Sequence, residues 1–202
     1  TLNIHNENRI AGRPTDVYLP DLFRVKLDEI ADAREPVGEM DWDYHGLGPL
    51  AVEAYMRETE QHIQPEIVQE EIREDVAGHP VLGYVDIVHN GGVIGDYKLT
   101  KRTAKQFSAE SWFQGHVYDR MRTIKGVVNP HHQIKLILVR KLKTPKIEIS
   151  NHEVTPKQHR QVDHTIRAVW NLTREGQHFP MCGSGNYLCS EKWCGYWNQC
   201  KG

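Results

Sequence analysis

Residues 80–98 read PVLGYVDIVHNGGVIGDYK, and this stretch decides the fold. Two runs rich in β-branched and apolar residues flank Asn-Gly-Gly at 90–92, a sequence typical of a hairpin turn. The pattern predicts two antiparallel strands. It also places Asp86 on the first strand and Asp96 on the second, with the turn midway between them, so the two side chains are expected to converge.

The predicted hairpin carries a second charged feature on the same face as these carboxylates. Lys98 lies two residues beyond Asp96, and strand side chains alternate between faces with a period of two. Carboxylates in apolar strands are costly unless they are paired, hydrogen-bonded or bound to metal. Asp86, Asp96 and the backbone carbonyl of Tyr97 offer the oxygen ligands that Mg²⁺ or Mn²⁺ prefers. The alternative is a surface hairpin with ordinary charges.

The remaining chain predicts a single mixed α/β or α+β domain. Hydrophobic spacing and turn residues predict helices at 20–33, 50–61, 103–123 and 156–175, and strands at 66–75, 80–89, 93–99, 133–142 and 145–150. Thr103 is a plausible N-cap of the long third helix, and Gly176 closes the last one. The glycines and prolines of residues 35–49 predict a loop.

Composition excludes some classes of protein. The 202 residues fit one domain, and no apolar run approaches the roughly 20 residues that span a bilayer. Residues 1–92 carry 19 acidic and 7 basic side chains, whereas residues 93–202 carry 8 acidic and 18 basic ones. A basic C-terminal half suits a polyanionic partner, although such charges also occur on ordinary solvated surfaces. No secretory leader is recognisable, so a cytoplasmic location is expected.

Three short motifs occur in order along the chain. They are Gly-x-x-Asp at 83–86, Asp-Tyr-Lys at 96–98 and Gln-x-x-x-Tyr at 114–118. In this the chain resembles the RecB-like branch of the PD-(D/E)XK nucleases, which includes nuclease domains of bacterial recombination exonucleases and CRISPR-adaptation exonucleases. The likeness covers roughly residues 50–200. It implies a restriction-endonuclease-like core, a mixed central sheet flanked by helices.

The resemblance also implies roles for these residues. Asp86 and Asp96 would bind the metal, and Lys98 would orient or help deprotonate the attacking water. Gln114 and Tyr118, which share one face of the predicted helix, would contact the substrate backbone or support the lysine. Three basic residues just after the Asp-Tyr-Lys motif could hold phosphates: Lys101, Arg102 and Lys105.

One family motif fits the chain poorly. Members usually carry a His and a Glu about four residues apart on the helix before the first strand, the His being a metal ligand. Glu53 is well placed, but Pro49 stands four residues before it. His45 lies eight residues before Glu53 and is the remaining candidate ligand. His131 and His132 follow Pro130 in a turn and are assigned no role.

All four cysteines lie in the last 21 residues, at Cys182, Cys189, Cys194 and Cys200. Four thiolates can hold Zn²⁺ or an iron–sulfur cluster, and disulfides are disfavoured in the cytosol. The RecB-like branch often carries a [4Fe–4S] cluster made by three C-terminal cysteines and one far upstream. Here Cys182 would replace the upstream ligand. The resemblance therefore favours [4Fe–4S], with Zn²⁺ as the alternative, in a metal-binding tail that fastens to the core.

These expectations combine into one functional hypothesis. Residues 1–49 would form an N-terminal helical and loop segment, 50–178 the nuclease core and 179–202 the Cys-rich tail. The chain would be a metal-dependent DNA exonuclease of phage or bacterial recombination and repair, with a helicase or recombination protein as a conceivable partner. The alternatives are an endonuclease of the same fold, a catalytically silent nucleic-acid-binding module, and a zinc-binding interaction module.

Overall fold

The structure, a computed structural model, describes residues 2–14, 18–32, 43–59, 61–127, 129 and 131–174. The helices of this part are α1 Leu2–Ile10, α2 Leu19–Asp32, α3 Tyr44–Thr59, α4 Phe113–Ile124 and α5 Pro156–Arg174. The strands are β1 Pro65–Val76, β2 His79–His89, β3 Val93–Thr100, β4 Gln133–Arg140 and β5 Lys146–Glu153. Within these residues no helix combines the length and the apolar character needed to cross a membrane.

The five strands form one mixed sheet in the order β1-β2-β3-β4-β5. Neighbouring strands are antiparallel except β3 and β4, which are parallel. A parallel pair needs a crossover connection, and α4 lies in the segment that links β3 to β4. The predicted hairpin is confirmed, with His89 paired to Val93 and Asn90 at a φ of 50° in the turn.

Helices cover both faces of the sheet. On one face, Met121 of α4 and Val162 of α5 belong to a buried cluster with strand residues such as Leu136. On the other face, Tyr55 of α3 is buried with Ile87 and Ile137, and Leu2 of α1 packs against them, while α2 packs on α3. The molecule is thus a helix–sheet–helix sandwich, which confirms the predicted mixed sheet flanked by helices.

The helix predicted at 103–123 begins ten residues late, at Phe113. Residues 103–108 form turns, and a short 3₁₀ turn follows at Ala109–Ser111. Two backbone amides of this segment donate to side chains of β5: Ala104 N to Glu148 Oε2 at 2.7 Å and Ala109 N to Ser150 Oγ at 2.9 Å. These tertiary hydrogen bonds replace helical ones, so Thr103 does not cap a long helix.

The loop predicted at 35–49 is wrong for its last residues, because α3 already begins at Tyr44. A Cβ added at Gly48 would stand 2.2 Å from Cε1 of Phe23, so this glycine permits α2 and α3 to approach closely. Gly48 is therefore present for helix packing and does not mark a loop. Helix α1 was not predicted at all.

Candidate active site

The two hairpin carboxylates meet where the β2–β3 ladder ends. The last paired residues of these two strands are Ile87 and Gly95, and Asp86 and Asp96 are the next residues along β2 and β3. Instead of a continued ladder, the backbone N–H of Tyr97 donates to Asp86 Oδ2 at 3.2 Å. This side-chain contact holds the Asp86 carboxylate against the neighbouring strand, beside Asp96.

Asp96 is the most deeply buried charged group of this pair, with 4% of its surface exposed. Burial raises the pKa of the Asp96 carboxyl to about 6; the nearby Lys98 amine opposes this rise and the Asp86 carboxylate adds to it. Lys98 Nζ lies 2.6 Å from Asp96 Oδ2 as an ion pair, yet this oxygen has no hydrogen bond of acceptable geometry. The Lys98 amine therefore compensates only in part for the burial of the Asp96 carboxylate.

A divalent cation fits this donor set. Two adjacent carboxylates in a low-dielectric setting repel each other, and a cation between them would relieve both that repulsion and the poor solvation of Asp96 Oδ2. Carboxylate oxygens are the ligands that Mg²⁺ and Mn²⁺ prefer. That the Tyr97 carbonyl is a further ligand stays a prediction.

The other two predicted site residues, the candidate catalytic residue Glu53 and the candidate metal ligand His45, have different partners in this structure. Glu53 of α3 accepts a hydrogen bond from the Tyr18 hydroxyl. His45 is exposed, with its Nδ1 3.6 Å from Asp28 Oδ1. Among the described residues, neither joins Asp86 and Asp96 in a group whose ligand atoms lie within 4.8 Å of one another. Their roles as site residues stay predictions.

Tyr118 stands over the hairpin from α4. The Gln114 amide donates to the Tyr118 hydroxyl at 2.7 Å, so the two residues share one helix face as expected. Burial raises the pKa of the Tyr118 phenol, the Gln114 hydrogen bond lowers it, and the negative charges of Asp96 and Asp86 raise it further. A Cβ at Gly83 would come within 2.6 Å of Cε1 of Tyr118, which explains the glycine of the first motif.

The sequence analysis did not predict the contacts that hold the Tyr97 side chain of the Asp-Tyr-Lys motif. The Tyr97 hydroxyl receives a hydrogen bond from Asn6 Nδ2 at 2.8 Å and lies 3.1 Å from the Tyr55 hydroxyl. Burial raises the pKa of the Tyr97 phenol, which therefore stays neutral. Helices α1 and α3 thus hold β3 from the face opposite Lys98. No local pattern could indicate this contact, because Asn6 and Tyr97 are 91 residues apart.

The three predicted phosphate-binding residues follow β3 directly. Lys101, Arg102 and Lys105 are all exposed. Two hydrogen bonds hold the backbone of this segment. Arg140 Nη2 donates to the Lys101 carbonyl at 3.0 Å, and the Arg102 backbone amide donates to Thr100 Oγ1 at 3.0 Å. The four cysteines lie outside the described residues, and both their proposed metal and their tail stay predictions.

Comparison with known proteins gives matches at two levels. The family model of the PD-(D/E)XK nuclease superfamily matches residues 9–201. A solved structure from Eubacterium rectale, described as a "putative exonuclease", has a TM-score of 0.53 and 14% identity, covering 87% of this chain and 77% of that one. The solved structure of SSO0001 has a TM-score of 0.45 and 13% identity, covering 91% and 81% respectively. A search of the curated proteins gives no match.

Proposed function

This chain belongs to the PD-(D/E)XK nuclease superfamily, and on that premise we propose that it is a divalent-metal-dependent exonuclease that hydrolyses DNA from its ends. Nuclease chemistry follows from the family. The metal dependence is supported by one observation, the Asp96 carboxylate beside Asp86: its Oδ2 is buried and ion-paired with Lys98, yet burial still raises its pKa to about 6.

In this proposal Asp86 and Asp96 hold Mg²⁺ or Mn²⁺. When bound, such an ion neutralises charge on the phosphodiester and makes a water easier to ionise. Asp86 is fixed for this task by the Tyr97 amide, and Asp96 by its burial in the sheet. Because both carboxylates are immobilised by the strands, little reorganisation is needed when the substrate arrives.

Lys98 is the proposed catalytic amine. Its side chain is 34% exposed, so Nζ contacts Asp96 on one side and remains accessible to water and substrate on the other. From this position it would orient the attacking water and stabilise the negative charge that develops on the phosphate. Tyr118, whose phenol is influenced by the charges of both carboxylates, and Gln114, which is hydrogen-bonded to Tyr118, would contact the substrate backbone or hold Lys98 in place.

The choice of an exonuclease over an endonuclease rests on the Gln-x-x-x-Tyr motif and on the basic residues after β3. The Gln-x-x-x-Tyr motif, with both side chains hydrogen-bonded to each other, is associated with the exonucleases that the chain resembles. The basic residues after β3 would hold the phosphates of the strand entering the site. A cytoplasmic role in recombination, repair or phage DNA processing, and a [4Fe–4S] cluster or Zn²⁺ on the cysteines, remain part of the hypothesis.

The proposal is tested with end-labelled linear and closed circular single-stranded DNA of the same sequence. The wild type is compared with Lys98→Ala, and Lys146→Ala serves as the matched control because Lys146 is exposed at the start of β5. We expect Mg²⁺- or Mn²⁺-dependent loss of linear DNA only, abolished by EDTA and by Lys98→Ala. Cleavage of the circle would indicate an endonuclease, and no cleavage by the folded wild type would favour a nucleic-acid-binding module.

A further inference from the structure

Three metal-ligating side chains converge at a place that the proposed active site does not use. His132 Nδ1 lies 3.0 Å from Asp119 Oδ2, and His159 Nε2 lies 2.7 Å from the same oxygen. All three ligand atoms lie within 4.8 Å of one another, and no other group of this kind occurs among the described residues. The residues come from α4, the loop before β4, and α5.

The Asp119 carboxylate is held in a fixed orientation. It is fully buried, and Asn129 Nδ2 donates to its other oxygen, Oδ1, at 2.9 Å. Asn129 is itself fixed, because its Oδ1 accepts from the Gln133 amide at 3.1 Å. Outer hydrogen bonds of this type orient the first ligands of metal sites and leave one carboxylate oxygen directed at the ion.

The backbone at His132 is also unusual. His132 has a φ of 46°, in the left-handed region that non-glycine residues rarely adopt. Its amide donates to the Asn129 carbonyl at 3.0 Å, and its carbonyl accepts from the Val154 amide at 2.9 Å. The surrounding structure therefore maintains a backbone conformation that is unfavourable for a residue with a side chain. One result of that conformation is that the imidazole reaches Asp119.

We propose that Asp119, His132 and His159 form a second metal site, selective for a divalent transition ion such as Zn²⁺. Two imidazoles and one carboxylate are a donor set that suits Zn²⁺, whereas Mg²⁺ prefers oxygen ligands alone. The His132 side chain is 43% exposed, so water can reach a fourth ligand position. Three protein ligands with one open position are typical of zinc sites that also bind water.

Two of the three distances between the ligand atoms are already close to those that the ion requires. Zn–N and Zn–O bonds of about 2.0–2.1 Å set neighbouring ligand atoms about 3.3 Å apart in a tetrahedron. The two contacts with Asp119 Oδ2 are 3.0 and 2.7 Å, so each imidazole would withdraw by only a few tenths of an ångström. His132 can make this movement at the surface, and His159 is a helix residue with 13% of its side chain exposed.

An ion here would add a further link between three elements that hydrogen bonds to Asp119 and the Arg120–Asp163 ion pair already join. Asp119 follows Tyr118 on α4, so metal binding would fix the helix that presents Tyr118 and Gln114 to the hairpin. The site shares no ligand with the proposed catalytic pair, and its occupancy can be measured independently of nuclease activity. The competing explanation is a purely structural set of hydrogen bonds in which both imidazoles donate to Asp119.

Zinc content of the full chain distinguishes these explanations. Protein equilibrated with Zn²⁺ in excess Mg²⁺ is desalted and analysed for metal, comparing the wild type with His132→Ala and His159→Ala. The matched controls are His131→Ala and His164→Ala, which remove an exposed histidine next to His132 and an exposed histidine on the same helix as His159. Any zinc on the cysteines is common to all five proteins. We expect the wild type and both controls to hold one more Zn²⁺ per chain than the two ligand variants; equal zinc contents would overturn the proposal.

A second measurement on the wild type avoids dependence on the folding of variants. Paramagnetic Co²⁺ is added in excess Mg²⁺ while the histidine imidazole resonances are followed by NMR. As Co²⁺ fills this site, we expect the signals of His132 and His159 to be shifted or broadened together, with smaller effects on His164, five residues further along α5. If the His132 and His159 signals do not respond while Co²⁺ binds elsewhere, the three residues form only a hydrogen-bonded set.

Discussion

Lys98 Nζ lies 2.6 Å from Asp96 Oδ2, yet this ion pair leaves the carboxylate poorly stabilised. Burial dominates, and it raises the pKa of Asp96 to about 6 despite the neighbouring amine. Removing two charges from water can cost more than their mutual attraction returns. The protein thus maintains a carboxylate in an unfavourable setting, as expected where a cation or substrate completes the site.

Asp96→Asn is expected to stabilise the metal-free protein. The pKa of Asp96 is raised from 3.8 to about 6 on folding, so the ionised carboxylate costs stability above pH 6 and this cost vanishes below pH 3.8. At pH 7.5 in EDTA the variant should gain about 2–3 kcal/mol in the free energy of unfolding, measured with urea. At pH 3.5 the two proteins should be equally stable. A variant less stable than the wild type at pH 7.5 would contradict the claim that the ionised Asp96 carboxylate destabilises the metal-free protein.

Gly83→Ala is expected to displace Tyr118. The new Cβ would lie 2.6 Å from Cε1 of the Tyr118 ring, which must move, at a cost of about 1–3 kcal/mol in the free energy of unfolding. Nuclease activity should also fall, because Tyr118 is displaced from its position over the hairpin. In a Tyr118→Ala background, which has no ring to displace, the same glycine change should cost much less. Equal costs in both backgrounds, measured as a double-mutant cycle, would show that Tyr118 does not require the glycine.

His89 is expected to make the protein sensitive to acid. Burial lowers the pKa of this fully buried imidazole from 6.5 to about 4, so the folded protein keeps it neutral. The neutral imidazole therefore contributes its full share to the free energy of unfolding above pH 6.5. As the pH falls toward 4, the free energy of unfolding decreases by about 3 kcal/mol, because the unfolded chain binds a proton at this histidine and the folded protein does not. The loss of stability on lowering the pH from 7 to 4 should be smaller in His89→Gln. Exposed His164→Gln is the control, and an unchanged pH profile for His89→Gln would refute this role.

Lys105→Ala is expected to weaken DNA binding without changing the fold. If Lys105 contacts one phosphate, the plot of log affinity against log salt should become less steep by about 0.7–0.9. Lys146→Ala, at the exposed start of β5, should leave the slope unchanged. The slopes are measured in EDTA, with Asp96→Asn, which is predicted to be inactive, as the common background. The assignment fails if Lys105→Ala retains the parent slope.

Some parts of this structure follow from local sequence and others do not. The hairpin register follows from Asn-Gly-Gly at 90–92 and the alternation around it, and the Gln114–Tyr118 contact follows from helical spacing. By contrast, α4 begins ten residues after the predicted position, because the backbone amides of residues 104 and 109 donate hydrogen bonds to side chains of β5. Such tertiary hydrogen bonds leave no local periodic signal.

The same reasoning explains the site residues that sequence reasoning missed. Asn6 supports Tyr97 from 91 residues away, and the Asp119, His132 and His159 side chains come from three separate elements. A single histidine in a turn, such as His132, gives no indication of the carboxylate that it will meet. Only the packing of α4 and α5 on the sheet brings these groups together.

The central claim is that Asp96 binds the cation required for phosphodiester hydrolysis. The most direct test is single-turnover hydrolysis of end-labelled linear DNA by the wild type and Asp96→Asn across a Mg²⁺ titration, with folding of both proteins verified by circular dichroism. We predict hydrolysis that saturates with Mg²⁺ in the wild type and a loss of at least about 100-fold in Asp96→Asn at every Mg²⁺ concentration. Wild-type hydrolysis in EDTA, or full activity of Asp96→Asn, would contradict the account.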